Sequence, residues 1–168
     1  MNIFVFGTLL SETFRRIVLG RELNSEHICT ASLKNFCVYW AEGGPFPVIV
    51  PQNGAEVHGI VLKDLNEHDI ERLNYYELGF GYVLKEALVE TNDCLQDVFA
   101  YFCKSSDMAS KNLWSFDDWL TKHSEIQYLA TTEFMDFFGT KFGDTAQRMY
   151  NSILKRAEIY VKERSSIR

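Results

Sequence analysis

Ile3-Phe4-Val5-Phe6-Gly7-Thr8-Leu9-Leu10 opens the chain. Its first four residues are apolar without alternation, the pattern of a strand buried on both faces. Gly7-Thr8 ends that run. Phe14, Ile17 and Val18 then recur at helical spacing, and Gly20 supplies a stop. The segment therefore reads as buried strand, tight loop, helix. Glycine in such a loop lets the backbone turn sharply and lets a ligand approach the main chain. Successive free N–H groups there form a nest for a carboxylate or a phosphate. A plain strand-to-helix turn would carry the same spacing. The loop has neither G-x-G-x-x-G nor G-x-x-x-x-G-K-[ST], so it carries no nucleotide motif.

Working outward, Cys29 to Tyr39 is β-rich and Gly43-Gly44-Pro45 is a turn. Phe46 to Val50 reads as a short strand, with Pro47 and Pro51 marking an edge. Asn53-Gly54 predicts a hairpin before a strand over Val57 to Leu62. Asn66 is a good helix N-cap, flanked by the hydrophobic staple pair Leu65 and Ile70. Strands are expected over Tyr82 to Glu90 and Asp97 to Phe102, joined by a turn at Asn92-Asp93. From Phe116 onward the pattern is helical. Asp144 is placed to cap a final helix whose apolar face carries Tyr150, Ile153 and Ala157. A β-rich body with two small helices, then a helical third, makes the fold class α+β (mixed) rather than a βαβ series.

The chain has 168 residues, 46% hydrophobic and 24% charged, an ordinary globular composition. Nothing in it asks for two domains, so one domain over residues 1–168 is expected. With 17 basic and 23 acidic residues the net charge is −6, which repels phosphate and argues against nucleic acid and anionic membrane as partners. The charge is uneven: residues 141–168 carry 7 basic and 3 acidic groups, consistent with a helix face resting against an acidic body. No apolar run reaches the roughly 18 residues of a spanning helix, and the N-terminus has no secretory pattern, so a cytoplasmic location is expected. Cys29, Cys37, Cys94 and Cys103 have no C-x-x-C spacing and read as buried small hydrophobes. His27, Cys29 and Cys37 could be drawn together around zinc, but a fourth ligand is missing, and no metal is expected. There is no G-x-S-x-G nucleophile elbow.

Glu77 is the residue that invites chemistry. If the helix after Asn66 continues far enough, Ile70, Leu73 and Glu77 share one face. Ile70 and Leu73 must face the core, which carries the carboxylate inward, where it is costly unless paired or used. Burial raises a carboxyl pKa and suits it to general acid–base work near neutrality. If the helix ends at Asn74 instead, Glu77 is solvated. Tyr82 opens the next strand and could bring its hydroxyl near Glu77.

These pieces, in this order, resemble a known family. Ile3-Phe4-Val5-Phe6-Gly7-Thr8-Leu9 is similar to the Tyr-Gly-(Ser/Thr)-Leu signature of the γ-glutamylcyclotransferase-like (AIG2-like) family. Phe46-Pro47-Val48-Ile49-Val50, Val57-His58-Gly59-Ile60-Val61 and Leu73-Asn74-Tyr75-Tyr76-Glu77 with Tyr82 resemble its later elements. The match covers about residues 1–103, and the helical extension over 116–168 lies outside it. The resemblance implies a small mixed β-barrel with flanking helices, and release of 5-oxoproline from a small γ-glutamyl compound without a cofactor. Carried over by position, Glu77 matches the catalytic glutamate. Phe6, Gly7, Thr8 and Leu9 match the substrate-cradling loop, and Tyr82 matches a tyrosine near the pocket. Two departures stand out: Phe6 replaces the signature tyrosine, and Val83 and Leu84 stand where a basic residue often follows Tyr82. The alternative is a non-catalytic module on the same fold, binding a small molecule or a protein. The C-terminal helices are left to cover the barrel, wall the pocket or build a homodimer interface.

Overall fold

β1 (Ile3–Val5) is buried along its whole length, with neighbours on both edges and both faces. In the computed structural model, which describes residues 1–92, 94–141 and 143–166 and only the backbone at 143, 144, 146 and 147, β1 pairs antiparallel with β3 (Gly44–Leu62). On its other edge it pairs parallel with β5 (Leu95–Cys103). β5 pairs antiparallel with β4 (Tyr82–Thr91), β4 with β2 (Ile28–Ala41), and β2 returns to β3. Five strands thus close a small mixed barrel, and β6 (Ala109–Leu113) adds to β2 on the outside. Closure removes the free edges that invite aggregation.

The alternation of β1 sorts two cores. Phe4 and Phe6 join Leu33, Ile49, Val61 and Val89 in a cluster built from the strands. Ile3 and Val5 face the other way, into the helices, where Phe14, Leu73, Trp119, Phe134 and Ile153 are buried. Gly59 makes the first packing feasible: a Cβ there would strike the Val5 carbonyl and the Phe4 ring.

Asn53-Gly54 does not make a hairpin. β3 runs through it without a break, and the chain reverses at Glu42-Gly43 instead, between Ala41 and its partner Gly44. Residues 52–55 of β3 stand opposite Asn35 alone, so the Asn-Gly turn preference is spent on a bulge. Asn35 and Gly54 both adopt positive φ, 64° and 78°, and the Gly54 N–H donates to Asn35 Oδ1 at 3.1 Å. Asn and Gly tolerate that conformation best. The segment Phe46 to Pro51 pairs with β2 on one side only, which accommodates Pro47 and Pro51.

α1 (Glu12–Leu19) is capped by the Ser11 side chain and stops at Gly20, whose φ is 72°. α2 (Glu67–Leu78) begins on a reciprocal box: Asn66 Oδ1 accepts from the Asp69 N–H, and Asp69 Oδ2 accepts from the Asn66 N–H, both at 2.9 Å. The helical extension is α3 (Phe116–Lys122), α4 (Ser124–Met135) and α5 (Gly143–Ser166). α5 starts one residue ahead of Asp144, so that residue lies within the helix rather than capping it. Tyr150, Ile153 and Ala157 are buried along α5, as its apolar face predicts. Its basic residues meet acidic ones on α4: Arg156 pairs with Glu133, and Arg164 with Glu125 at 3.8 Å.

Among the described residues, no helix is long and apolar enough to cross a membrane. The cysteines differ from expectation: Cys94 is exposed, Cys29, Cys37 and Cys103 are half-buried, and all four are free. The turn read at Asn92-Asp93 includes Asp93, which lies outside the described residues; β4 and β5 are paired on either side of it.

Candidate functional site

The loop after β1 and the last turn of α2 meet at a cavity that is partly open to solvent. All six residues singled out from the sequence line it: Phe6, Gly7, Thr8 and Leu9 from the loop, Glu77 from α2, and Tyr82 from β4.

Glu77 is there because α2 does not stop at Asn74. It continues to Leu78, with Leu73 fully buried and Ile70 packed against the same core. The side chain has no hydrogen-bond or ion-pair partner among the described residues. Burial raises its carboxyl from the ordinary 4.5 to about 8. Among the described residues it is the single charged one on the cavity wall, with no lysine, arginine or histidine there.

The loop is shaped by close contact. Gly7 lies so near Pro47 that a Cβ would fall inside van der Waals contact with Pro47 Cγ. One 3-10 turn follows, over Thr8 to Leu10. The Leu10 N–H donates to the Gly7 carbonyl at 2.9 Å and the Ser11 N–H to the Thr8 carbonyl at 3.1 Å. The amides of Thr8 and Leu9 are not used by that turn. Beneath it lies Arg15, a buried residue whose Nη1 donates to the carbonyls of Leu9 at 2.9 Å and Leu10 at 2.7 Å. This guanidinium satisfies two carbonyls of the loop and ties it to α1.

Tyr82 reaches the cavity, but its hydroxyl donates to the Pro47 carbonyl at 2.6 Å. Tyr101, from β5, lines the same space and donates to Asn74 Oδ1 at 2.8 Å. Burial first, with Glu77's negative charge adding to it, pushes both phenols well above the ordinary tyrosine value. Both therefore stay protonated across the physiological range. Tyr101, Phe46 and Phe80 were missed by sequence reasoning, because strand and loop aromatics give no sign of which space they face; Tyr76 was missed too, although its place three residues after the buried Leu73 on α2 was a usable signal. Arg15 carried a usable signal: Val18 and Leu19, three and four residues on, place it on the buried face of α1.

No cluster of three or more His, Cys, Asp or Glu side chains gathers among the described residues. What the site offers is one proton exchanger near neutrality, a backbone loop with unused amides, and apolar walls.

The closed mixed barrel thus carries a cavity lined by both an unpaired acid and a glycine loop. The family described as gamma-glutamyl cyclotransferase, AIG2-like, matches residues 3–121, and the chain belongs to that family. Among its relatives is AIG2-like protein B of Arabidopsis thaliana, 29% identical over 138 residues, which are 80% of this chain and 78% of that protein. An Arabidopsis thaliana protein solved in solution is 26% identical, covers 83% of this chain and 93% of its own, and superposes with a TM-score of 0.56. A solved gamma-glutamyl cyclotransferase shares the fold at 16% identity, over 90% of this chain and 98% of its own, with a TM-score of 0.51. The family match runs past residue 103 to take in β6 and most of α3.

Proposed function

We propose that the protein is a cyclotransferase that releases 5-oxoproline from a γ-glutamyl compound, with Glu77 as its general acid–base. The observation that carries this reading is the unpaired carboxyl of Glu77, raised to about 8, in the cavity that the Gly7–Leu9 loop also lines. The substrate brings its own nucleophile. Its α-amine attacks its γ-carbonyl carbon, a five-membered ring closes, and the bond from that carbon to the leaving nitrogen breaks. Ring closure gains most from holding the reactive conformer, because the amine and the carbonyl already belong to one molecule.

Glu77 takes a proton from the attacking amine and returns it to the leaving nitrogen, so no net proton is consumed. A group with a pKa near 8 does both near neutral pH. The Thr8 and Leu9 amides are suited to a substrate carboxylate or to the carbonyl oxygen as it gains charge. Tyr82 holds Pro47, and through it the wall against Gly7.

The test is 5-oxoproline release from a panel of γ-glutamyl amines and amino acids, with Glu77→Gln beside the wild type. The variant is expected to melt normally and to lose activity by about a hundredfold or more. Full activity in the variant would remove Glu77 from the mechanism. Phe6, which takes a hydroxyl away from the loop, favours a second reading, a non-catalytic binding module. Binding of a panel member without release by the wild type would establish that reading instead.

A further inference from the structure

We propose that Phe46 and Phe80, clamped from behind by Tyr150 of α5, form the wall that selects the leaving group, and that this group is an apolar or aromatic amine without a carboxylate. The inference rests on the cyclotransferase reading above and names its substrate class.

Phe46, from β3, and Phe80, between α2 and β4, both line the cavity, with ring centroids 6.2 Å apart. Both are half-buried. Phe80 is followed by Gly81 at a φ of 84°, which turns the chain immediately after the ring. Tyr150 packs edge-on against Phe80 at 4.8 Å and lies 6.3 Å from Phe46. Its hydroxyl donates to the buried Gln127 at 3.0 Å, which fixes the ring from the helical side. α5, which carries Tyr150, lies beyond the residues 3–121 that the family model matches.

Charge points the same way. Among the described residues the cavity wall holds Glu77 and no cation. A leaving amino acid or peptide would bring a second carboxylate into an apolar space with nothing to neutralise it, which is costly. An apolar amine instead buries its surface on the two rings, and an aromatic one adds edge or offset ring contacts.

The test uses Glu77→Gln protein, in which turnover is expected to be slow, and calorimetric binding of γ-glutamylbenzylamide and γ-glutamylglycine. The benzylamide is expected to bind about tenfold tighter or more. Phe80→Ala and Tyr150→Ala, each added to Glu77→Gln, should bring the ratio of the two Kd values toward one. Tyr150→Phe keeps the ring and should keep the ratio. Phe80→Ala truncates a half-buried ring and leaves Tyr150 in place, so in folded protein it answers the question even where Tyr150→Ala fails to fold. Equal affinities, a preference for γ-glutamylglycine, no binding of either, or a ratio unmoved in folded Phe80→Ala protein would overturn the proposal. 5-Oxoproline release by the wild type, measured with the same pair, separates the two claims. An apolar preference in binding that Phe80→Ala abolishes, with no release, keeps the wall and removes the cyclotransferase reading. Efficient release from γ-glutamylglycine keeps the reading and removes the wall.

Discussion

Asp69 and Glu77 stand at opposite ends of α2, and their surroundings treat them oppositely. Asp69, in the first turn, is fully buried and fully partnered. Burial pushes its carboxyl up, but the fork of Arg21, at 2.8 and 2.7 Å, and the Asn66 N–H pull it below the ordinary aspartate value. Glu77, in the last turn, is half-buried, has no partner among the described residues, and its carboxyl rises to about 8. One helix thus holds a carboxylate that fastens the fold and a carboxyl that the fold leaves unpaired. Structural acids in proteins are paired, and an unpaired buried acid is a cost that function explains.

The comparison predicts a division of effects. Glu77→Gln should lose 5-oxoproline release by about a hundredfold or more while folding normally. Asp69→Asn should do the reverse, because it leaves the Arg21 guanidinium without its counter-charge. Unfolding in denaturant should show a loss of about 1–3 kcal/mol, and activity should fall only as the folded fraction falls. Equal effects of the two substitutions on activity would break the contrast.

The pH dependence of stability sharpens it. A carboxyl at 4.5 unfolded and about 8 folded is protonated in the native state while the unfolded chain has lost that proton. The Glu77 contribution to stability therefore falls as pH rises from about 4.5 to 8, then levels off. Glu77→Gln should remove that slope, so the variant gains on the wild type by as much as a few kcal/mol toward pH 8. Asp69 has the opposite sign. Its stabilisation is present above the ordinary aspartate value and is lost as pH falls through the lowered native one. Denaturant midpoints at pH 5 and pH 8 check the Glu77 slope, and midpoints at pH 5 and about pH 2 check that of Asp69.

Tyr82→Phe is the smallest change. It removes the donor to the Pro47 carbonyl and should cost about 1 kcal/mol, with a modest rise in KM as the wall against Gly7 loosens. A loss as large as that of Glu77→Gln would make Tyr82 a proton-transfer residue rather than a support.

Local signals were readable in the sequence. The unbroken apolar run of β1, the glycine loop and the Asn66 cap each depend on a few adjacent residues. The Ile70–Leu73–Glu77 spacing also placed the key acid on the inward face. Asn53-Gly54 misled because its local turn preference was absorbed by long-range pairing of β2 with β3, which continued past it. Tyr101 and Tyr150 were illegible for the same reason. Their places at or behind the cavity are set by strands and helices that meet across the fold, and no neighbour in sequence reports it.

The most direct measurement is an NMR titration of the Glu77 side-chain carboxyl carbon in the wild-type protein, assigned by its absence in Glu77→Gln. A midpoint near 8 is predicted. A midpoint in the ordinary glutamate range would mean that Glu77 is solvated or paired, and the contrast with Asp69 would collapse.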